Sequence, residues 1–264
     1  MAIIDNPARR CLEAGGVALG IGVRLARTVE IAPIMKASGF DWLFIDLEHG
    51  PMSVDTAAQI CGSALLTGIS PIIRIPTGAF GLATRLLDAG AQGIIVPHVD
   101  TAEQAQQAVD QLRYLPDGHR SFGGVGPHFG YGGFKTKDAM AALNASALLV
   151  VMLETPEAIK NANEISMVKG VDVVLIGSGD LSIEMDIFED LLNPSMIQAY
   201  ERTIEACRRH GKWPGMAGIS PATLMPHFIA MGAQFILSGT DTYLLADAAA
   251  QRCRSLKDVK LPKG

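Results

Sequence analysis

The feature that most constrains the fold of this chain is a series of eight short apolar runs, separated by segments with helical patterning. The runs cover residues 17–21, 42–45, 71–75, 93–96, 147–153, 171–176, 212–217 and 234–237. Continuous apolar runs of this length are typical of parallel strands that are buried on both faces. Two of the segments between them open with helix-start signals, a capping-box pattern at Thr101 and the pair Asn193-Pro194.

Eight strand–helix units predict an α/β fold, a closed (β/α)8 TIM barrel that spans residues 1–264 as a single domain. The alternative is a doubly wound open sheet, which more often ends after about five or six strands. The chain has 264 residues, 48% of them hydrophobic. That is enough for one large core, because barrels of this kind commonly contain about 250 residues.

The composition argues against several classes of partner. The net charge is −5 and no basic cluster suggests nucleic acid. No apolar run approaches the roughly 20 residues of a membrane span, and the N-terminal residues lack a signal-peptide pattern. Four scattered cysteines predict reduced thiols: Cys11, Cys61, Cys207 and Cys253. We therefore expect a cytoplasmic protein that binds small molecules or copies of itself.

Charged or imidazole side chains stand at the ends of five successive runs. They are Asp46, Glu48 and His49 after the second run, Arg74 in the third, His98 after the fourth, Glu154 after the fifth and Asp180 after the sixth. In a parallel barrel all these strand ends meet at one face, where catalytic groups are placed. The pattern therefore predicts a polar site at that face.

Glu154 and Asp180 are each the first acid after a buried run. Converging carboxylates repel unless a cation lies between them or one is protonated, and hard ions such as Mg²⁺ and Mn²⁺ prefer oxygen ligands. The alternative for Asp180 is a helix N-cap. Arg74 cannot lose its charge and needs an anion, which is either Asp46 or Glu48 or an oxyanion of a substrate.

His49 follows Asp46 by three residues, so a pair in which the acid orients the imidazole would make His49 a general base. The alternative is a surface histidine, and the other five histidines carry less information. Gly177-Ser178-Gly179 opens a helix whose N–H groups can bind a carboxylate. These groups together favour proton removal next to a carbonyl, with the resulting enolate stabilised by cations.

Residues 114–135 interrupt the strand–helix alternation with a glycine-rich segment. Loops of this length are usually functional or disordered. The segment is therefore either a mobile surface loop or a loop that a neighbouring subunit or the substrate orders.

Six motifs resemble the HpcH/HpaI aldolase family, the metal-dependent class II pyruvate aldolases related to the citrate lyase β-subunit. They occur in the family's order over residues 15–250. The motifs are Asp46-x-Glu48-His49-Gly50, Ile73-Arg74-Ile75-Pro76, Leu87-Asp88-Ala89-Gly90-Ala91, Glu154-Thr155-x-x-Ala158, Gly177-x-x-Asp180-Leu181-Ser182 and Gly239-Thr240-Asp241-Thr242.

The resemblance implies a (β/α)8 barrel whose last helix is exchanged between subunits, usually in a hexamer. It implies Glu154 and Asp180 as ligands of Mg²⁺, Mn²⁺ or Co²⁺, and Arg74 as the residue that holds the keto or enolate oxygen of pyruvate. His49, oriented by Asp46, matches the acid/base residue, and Asp88 matches an acid that serves the neighbour's site.

The amides of Gly179 and Asp180 match those that bind the pyruvate carboxylate. Ser178 and Glu48 are further candidates for substrate contact, and the role of Glu48 is the least defined. The chain departs from the family at Met152, where Gln is common.

The predicted reaction is reversible cleavage of a 4-hydroxy-2-oxo acid into pyruvate and an aldehyde. No lysine follows a predicted strand as a Schiff-base candidate, which favours a metal over an imine. Two alternatives stay open: a carbon–carbon lyase of the citrate lyase β or malyl-CoA type, and a non-catalytic barrel that binds an oxo acid.

Overall fold

Eight parallel strands close into a barrel in the order in which they occur along the chain. The structure is a computed structural model that describes residues 2–188, 190–219 and 222–260. The strands are β1 Ala18–Val23, β2 Trp42–Asp46, β3 Ser70–Arg74, β4 Gly93–Val96, β5 Leu148–Leu153, β6 Val173–Gly177, β7 Trp213–Ala217 and β8 Phe235–Thr240. Closure between β1 and β8, with Gly20 opposite Leu237, excludes the open doubly wound sheet.

Helices cover the outside of the barrel and one end of it. They are α1 Pro7–Glu13, α2 Ile31–Ala37, α3 Val54–Thr67, α4 Phe80–Asp88, α5 Ala102–Leu112, α6 Thr136–Ser146, α7 Pro156–Lys160, α8 Ala162–Met167, α9 Ser178–Glu184, α10 Pro194–His210, α11 Met225–Met231 and α12 Asp241–Lys257. The capping box at Thr101 and the cap at Asn193 are both present, as predicted. No helix in the described ranges is long and apolar enough to cross a membrane.

The strands are continuously apolar because their side chains alternate between two buried layers. On β2, Leu43 and Ile45 pack outward against the helices, whereas Trp42 and Phe44 fill the inside of the barrel. Trp42 stacks on Phe235 with ring centroids 4.0 Å apart. Gly20 makes this possible, since a Cβ there would lie 2.1 Å from the Trp42 ring.

Part of the segment 114–135 is packed against the barrel rather than mobile on its surface. Tyr114, His128 and Phe129 are buried, and a short 3₁₀ helix covers Pro127–Phe129. The segment joins α5 to α6, which places it at the N-terminal face of the barrel, opposite the strand ends that carry the polar groups. The mobile-loop alternative is therefore wrong for these buried residues.

Helix α12 stands apart from the barrel. Every residue from 242 to 257 is exposed, and the apolar side chains among them include Tyr243, Leu244, Leu245 and Leu256. A 17-residue helix with exposed leucines leaves apolar area in water that a second protein surface would cover.

Candidate active site

A cavity of about 230 Å³ opens at the C-terminal ends of the strands. Seven of the eight strands or the loops that follow them contribute residues to its wall, together with Tyr243 from the start of α12. Asp46, Arg74, Glu154 and Asp180, four of the predicted site residues, all line it. The prediction that the charged strand ends converge is correct for these four, because barrel closure brings the ends of β2, β3, β5 and β6 to one mouth.

Asp46 and Arg74 form a buried bidentate pair across adjacent strands. The Nε of Arg74 donates to Oδ1 of Asp46 at 3.0 Å, and its Nη2 donates to Oδ2 at 2.7 Å. The guanidinium also lies 5.1 Å from the ring centroid of Phe44. Burial alone would raise the pKa of Asp46, but the hydrogen bond and charge of Arg74, with the backbone N–H groups of His49 and Glu48, together outweigh it and hold that pKa below its usual value.

The Asp46 carboxylate touches His49 through the backbone and not through the ring. Oδ1 accepts the backbone N–H groups of Glu48 at 3.1 Å and of His49 at 3.3 Å. The His49 imidazole is 53% exposed and has its Nε2 3.8 Å from Oε2 of Glu48. Asp46 therefore fixes the loop that carries His49, because Arg74 occupies the carboxylate that was predicted to orient the imidazole.

Glu48 is one of the charged partners of Arg74, in addition to Asp46. Its Oε2 lies 3.2 Å from Nη1 of Arg74, yet that oxygen is buried and accepts no hydrogen bond within the described parts of the chain. A buried carboxylate oxygen without a hydrogen bond raises the free energy of the folded state, and such atoms often bind a ligand or an ordered water. The sequence left the anion beside Arg74 as either Asp46 or Glu48, or a substrate oxyanion, and the structure places both acids there.

Glu154 and Asp180 come together, as the sequence predicts. Glu154 is 1% exposed at the end of β5, and its carboxyl is within hydrogen-bonding reach of Asp180 in the first turn of α9. Burial, and to a smaller extent Asp180, raise the pKa of Glu154 to about 7 against the opposing effect of His98. Asp180 is not a helix N-cap, since that position is Gly177.

These two carboxylates fit a divalent ion. They are hard oxygen donors, and a cation between them would relieve the repulsion that contributes to the high pKa of Glu154. Elsewhere in the described ranges, as here, no group of three or more His, Cys, Asp and Glu side chains could hold a metal. An ion on this pair would therefore take its other ligands from substrate or water oxygens, as Mg²⁺ usually does.

His98 is a site residue that the sequence gave little reason to choose. It follows β4 with a left-handed backbone, φ +52°, which is uncommon for a residue other than glycine. Its backbone N–H donates to Oε2 of Glu154 at 2.8 Å, and its ring Nδ1 lies 3.2 Å from the same oxygen. Its Nε2 is 3.8 Å from Oε1 of Glu48, so the imidazole bridges the two acids. The only sequence signal was its place directly after the strand.

Two glycines make room around the predicted carboxylate-binding amides. A Cβ on Gly177 would lie 2.7 Å from Cγ of Glu154. A Cβ on Gly218, where φ is +78°, would lie 2.6 Å from the backbone N of Gly179. The side chain of Ser178 points away from the cavity and hydrogen-bonds Tyr200 at 2.7 Å, so Ser178 offers the site only its backbone.

Arg24 is a second residue that sequence reasoning missed. It follows β1, lines the cavity and has its Nε 3.5 Å from Oδ2 of Asp46. Asp241, which is buried at the start of α12, accepts hydrogen bonds from the backbone N–H groups of residues 24–26. The apolar run in this region ends at residue 21, so the sequence did not place Arg24 at the strand tip.

Asp88 lies at the other end of the barrel from the cavity. It ends α4, near the N-terminal ends of the strands, and its Oδ1 pairs with Nη2 of Arg120 at 2.5 Å. It cannot reach the cavity of its own chain from there. Its predicted contribution to a neighbour's site stays a prediction.

The chain matches one protein family over most of its length. The sequence profile described as HpcH/HpaI aldolase/citrate lyase matches residues 25–248. The chain is 34% identical over 267 residues to a 4-hydroxy-4-methyl-2-oxoglutarate aldolase of Hapsidospora irregularis, covering 100% of this chain and 99% of that protein. It is also 34% identical over 259 residues to a 2-keto-3-deoxy-L-rhamnonate aldolase of Escherichia coli, covering 98% and 96%.

A solved structure agrees with these sequence matches. The HpcH/HpaI aldolase from Desulfitobacterium hafniense superposes with a TM-score of 0.90 at 26% identity, covering 97% of this chain and 98% of that one. The similarity therefore extends over nearly the whole of both chains.

Proposed function

Because the chain belongs to the HpcH/HpaI aldolase/citrate lyase family, we propose that its cavity catalyses reversible aldol cleavage of a 4-hydroxy-2-oxo acid into pyruvate and an aldehyde. It is a carbon–carbon lyase of the class II, metal-dependent type. The observation that carries the proposal is the convergence of Glu154 and Asp180 in a cavity that also contains the guanidinium of Arg74. Arg74, and a cation that the two carboxylates would hold, would stabilise the negative charge that develops on a keto oxygen.

Arg74 binds the keto oxygen of the pyruvyl part of the substrate and holds it through the reaction. Its pair with Asp46 fixes the guanidinium plane, so little reorganisation is needed when the enolate forms. The backbone N–H groups of Gly179 and Asp180 bind the substrate carboxylate, with Gly218 leaving the space that this approach requires. Met152, which lines the same cavity, offers only an apolar contact.

His49 acts as the general base on the C4 hydroxyl. The C3–C4 bond breaks, its electron pair stays on C3 as the enolate, and the carbonyl of the aldehyde forms at C4. The enolate is then protonated on C3 to give pyruvate. The exposed imidazole has the freedom to reach a substrate, and Glu48 at 3.8 Å can stabilise its protonated form.

Glu154 and Asp180 are the residues that would hold a divalent ion, Mg²⁺, Mn²⁺ or Co²⁺, and that ion would supply Lewis-acid stabilisation of the enolate. His98 keeps Glu154 in place through its backbone N–H and its ring. Gly177 leaves the volume that the Glu154 side chain occupies.

We also propose that the protein is a homo-oligomer, a hexamer in which α12 is exchanged between subunits. The exposed leucines of α12 support this, because an exchanged helix would bury them against a neighbour. The position of Asp88, at the face away from its own cavity, supports a role in the site of an adjacent subunit.

The deciding experiment measures pyruvate formation from 4-hydroxy-2-oxo acids before and after treatment with a chelator. We expect the chelator to abolish turnover and added Mg²⁺, Mn²⁺ or Co²⁺ to restore it. Full activity in the chelator would disprove the metal-dependent route. Arg74→Ala should also lose turnover, and a near-normal kcat/KM would rule out its role at the enolate.

A second measurement separates the aldolase from the two alternatives. The loaded protein should exchange the methyl protons of pyruvate for deuterium in D₂O, because the enolate forms from pyruvate alone. No exchange with metal bound would favour an oxo-acid-binding barrel without catalysis. Cleavage of malyl-CoA or citramalyl-CoA in preference to free oxo acids would favour the CoA-dependent lyase.

A further inference from the structure

We infer that Arg24 forms a second anion subsite, on the cavity wall opposite Glu154 and Asp180, for a carboxylate attached to C4 of the substrate. The inference rests on the proposed aldolase function and names its substrate class, 4-hydroxy-2-oxo diacids. The products would then be pyruvate and an aldehyde or ketone that itself carries a carboxylate.

The backbone of Arg24 is held by a buried carboxylate. Oδ1 of Asp241, which is 7% exposed, accepts the N–H of Arg24 at 3.0 Å. Its two oxygens also accept the N–H groups of Leu25 at 3.0 Å and of Ala26 at 2.7 Å. Three backbone N–H groups that donate to one carboxylate fix this loop at the cavity mouth. The backbone of Arg24 is therefore held in one position.

The Arg24 guanidinium has binding capacity that the protein leaves unused. A guanidinium has five N–H donors. In the described ranges, one of them makes a hydrogen bond, from Nη2 to the backbone O of His49 at 3.3 Å. The side chain is 40% exposed, and Arg24 lines the cavity. Since arginine keeps its charge at any physiological pH, the group is available to an anionic ligand.

Asp46 forms an ion pair with Arg24 but accepts no hydrogen bond from its side chain. The separation between Nε of Arg24 and Oδ2 of Asp46 is 3.5 Å, which is longer than a good hydrogen bond. Asp46 already accepts two bonds from Arg74 and two from backbone N–H groups. Arg74 is therefore the arginine that hydrogen-bonds this carboxylate. Arg24 lies beside the carboxylate and lines the cavity.

The order of strands around the barrel puts Arg24 where the C4 substituent must go. β1 and β5 are four strands apart in a closed barrel of eight, so Arg24 and Glu154 lie on opposite sides of the mouth. The proposed function anchors the pyruvyl end at β5, β6 and Arg74 on β3. The rest of the substrate then extends toward β7, β8 and β1.

The walls from β7 and β8 are apolar or uncharged at this point. Ala217, Ile219 and Leu237 contribute hydrocarbon surface to the cavity. Among the described lining residues on that side, the charged group is Arg24, and Tyr243 on α12 lines the same cavity. A C4 carboxylate pairs with this guanidinium, whereas a C4 methyl or polyol chain gains nothing from its charge.

The test compares two substrates that differ only in the group on C4. 4-Hydroxy-2-oxoglutarate carries a carboxylate there and 4-hydroxy-2-oxopentanoate carries a methyl group. The native protein should cleave the diacid with the higher kcat/KM. Arg24→Leu should lower kcat/KM for the diacid roughly 10- to 100-fold, the value of a charge-assisted hydrogen bond, and change it by less than about 2-fold for the methyl substrate.

Arg24→Lys should keep part of the diacid preference, because it retains the charge without the fork geometry. Arg27→Leu is the matched control on the same loop, since within the described ranges the Arg27 guanidinium hydrogen-bonds to the backbone carbonyls of Arg24 and Ala26 and to no side chain. It should leave the ratio of the two substrates unchanged.

Two results overturn the inference. One is an equal kcat/KM of the native protein for both substrates. The other is an equal loss for both in Arg24→Leu, which would mean that Arg24 acts on the His49 loop instead. Deuterium exchange into pyruvate distinguishes failure of the Arg24 subsite from failure of the proposed function. Exchange without a preference for the diacid disproves the subsite alone. No exchange disproves the aldolase function itself.

Discussion

The buried pair of Asp46 and Arg74 makes a quantitative prediction about folding stability. Arg74→Met removes the guanidinium and keeps most of the length of its stem. Asp46, which is 1% exposed, would then lose its hydrogen-bonded cation and keep two backbone N–H donors and the guanidinium of Arg24, 3.5 Å away. Breaking a buried pair by removing one partner costs about 3–5 kcal/mol, so we expect a loss of that size in the free energy of unfolding at pH 7.

The pH dependence of this loss has a definite sign. In the native protein the pKa of Asp46 is lowered, so its contribution to stability is present above the ordinary pKa of aspartate and disappears as the pH falls through the folded-state pKa. In Arg74→Met both lowering effects of Arg74 are lost, so burial, opposed only by the two backbone hydrogen bonds and Arg24, shifts the pKa of Asp46 upward from its native value. The buried carboxyl then takes up a proton as the pH falls. The stability difference between the two proteins should therefore shrink between pH 7 and about pH 4.

Urea unfolding followed by circular dichroism measures the effect in a metal-free buffer. Native protein, Arg74→Met, Asp46→Asn and the double variant form a double-mutant cycle. We expect the double variant to recover much of the stability that Arg74→Met loses. Arg208→Met is the control, because its pair with Glu205 is exposed on both sides and should contribute less than about 1 kcal/mol. A loss below about 1 kcal/mol in Arg74→Met, or a coupling energy near zero, would refute this account of the pair.

Three further predictions follow from single contacts. Glu154→Gln should weaken Mn²⁺ binding in a calorimetric titration by at least about 100-fold. Losing a residue that only hydrogen-bonds a metal ligand already lowers metal affinity about 10- to 100-fold. Unchanged affinity would exclude Glu154 as a ligand. Gly20→Ala should lower stability by about 1–3 kcal/mol in a thermal melt, because its Cβ would meet Trp42, whereas Gly81→Ala, with nothing within 4 Å, should not destabilise. His49→Ala should lose aldol cleavage in a coupled pyruvate assay while keeping Mn²⁺ affinity, and native-like turnover would mean that another group is the base.

The barrel could be predicted from the sequence because the information for it is local. Runs that are apolar at every position can be buried only on both faces, and eight of them with helices between close into one architecture. The same local reading placed Asp46, Arg74, Glu154 and Asp180 at strand ends. The same pattern predicted that Glu154 and Asp180 converge, because the C-terminal ends of parallel barrel strands lie at one face whatever the details of packing.

The contacts of these residues could not be predicted from the sequence. Asp46 was expected to orient the His49 ring. The register of β2 against β3 instead places Asp46 opposite Arg74, and both carboxylate oxygens of Asp46 accept hydrogen bonds from that guanidinium. Ser178 was expected at the substrate, yet its hydroxyl faces Tyr200 on α10. Which neighbour a side chain meets depends on the rotation of one element against another, and no single segment encodes that rotation.

Local sequence was enough for the fold class, the family and the charged character of the cavity mouth, because apolar runs predict the strands and charged residues follow them. The contacts of His98 with Glu48 and Glu154, and the place of Arg24 on the cavity wall, depend on the closed barrel. Both residues stand beside unremarkable local sequence. Their importance arises from barrel closure, which brings β1, β4 and β5 around one space although the chain separates Arg24 from Glu154 by half its length.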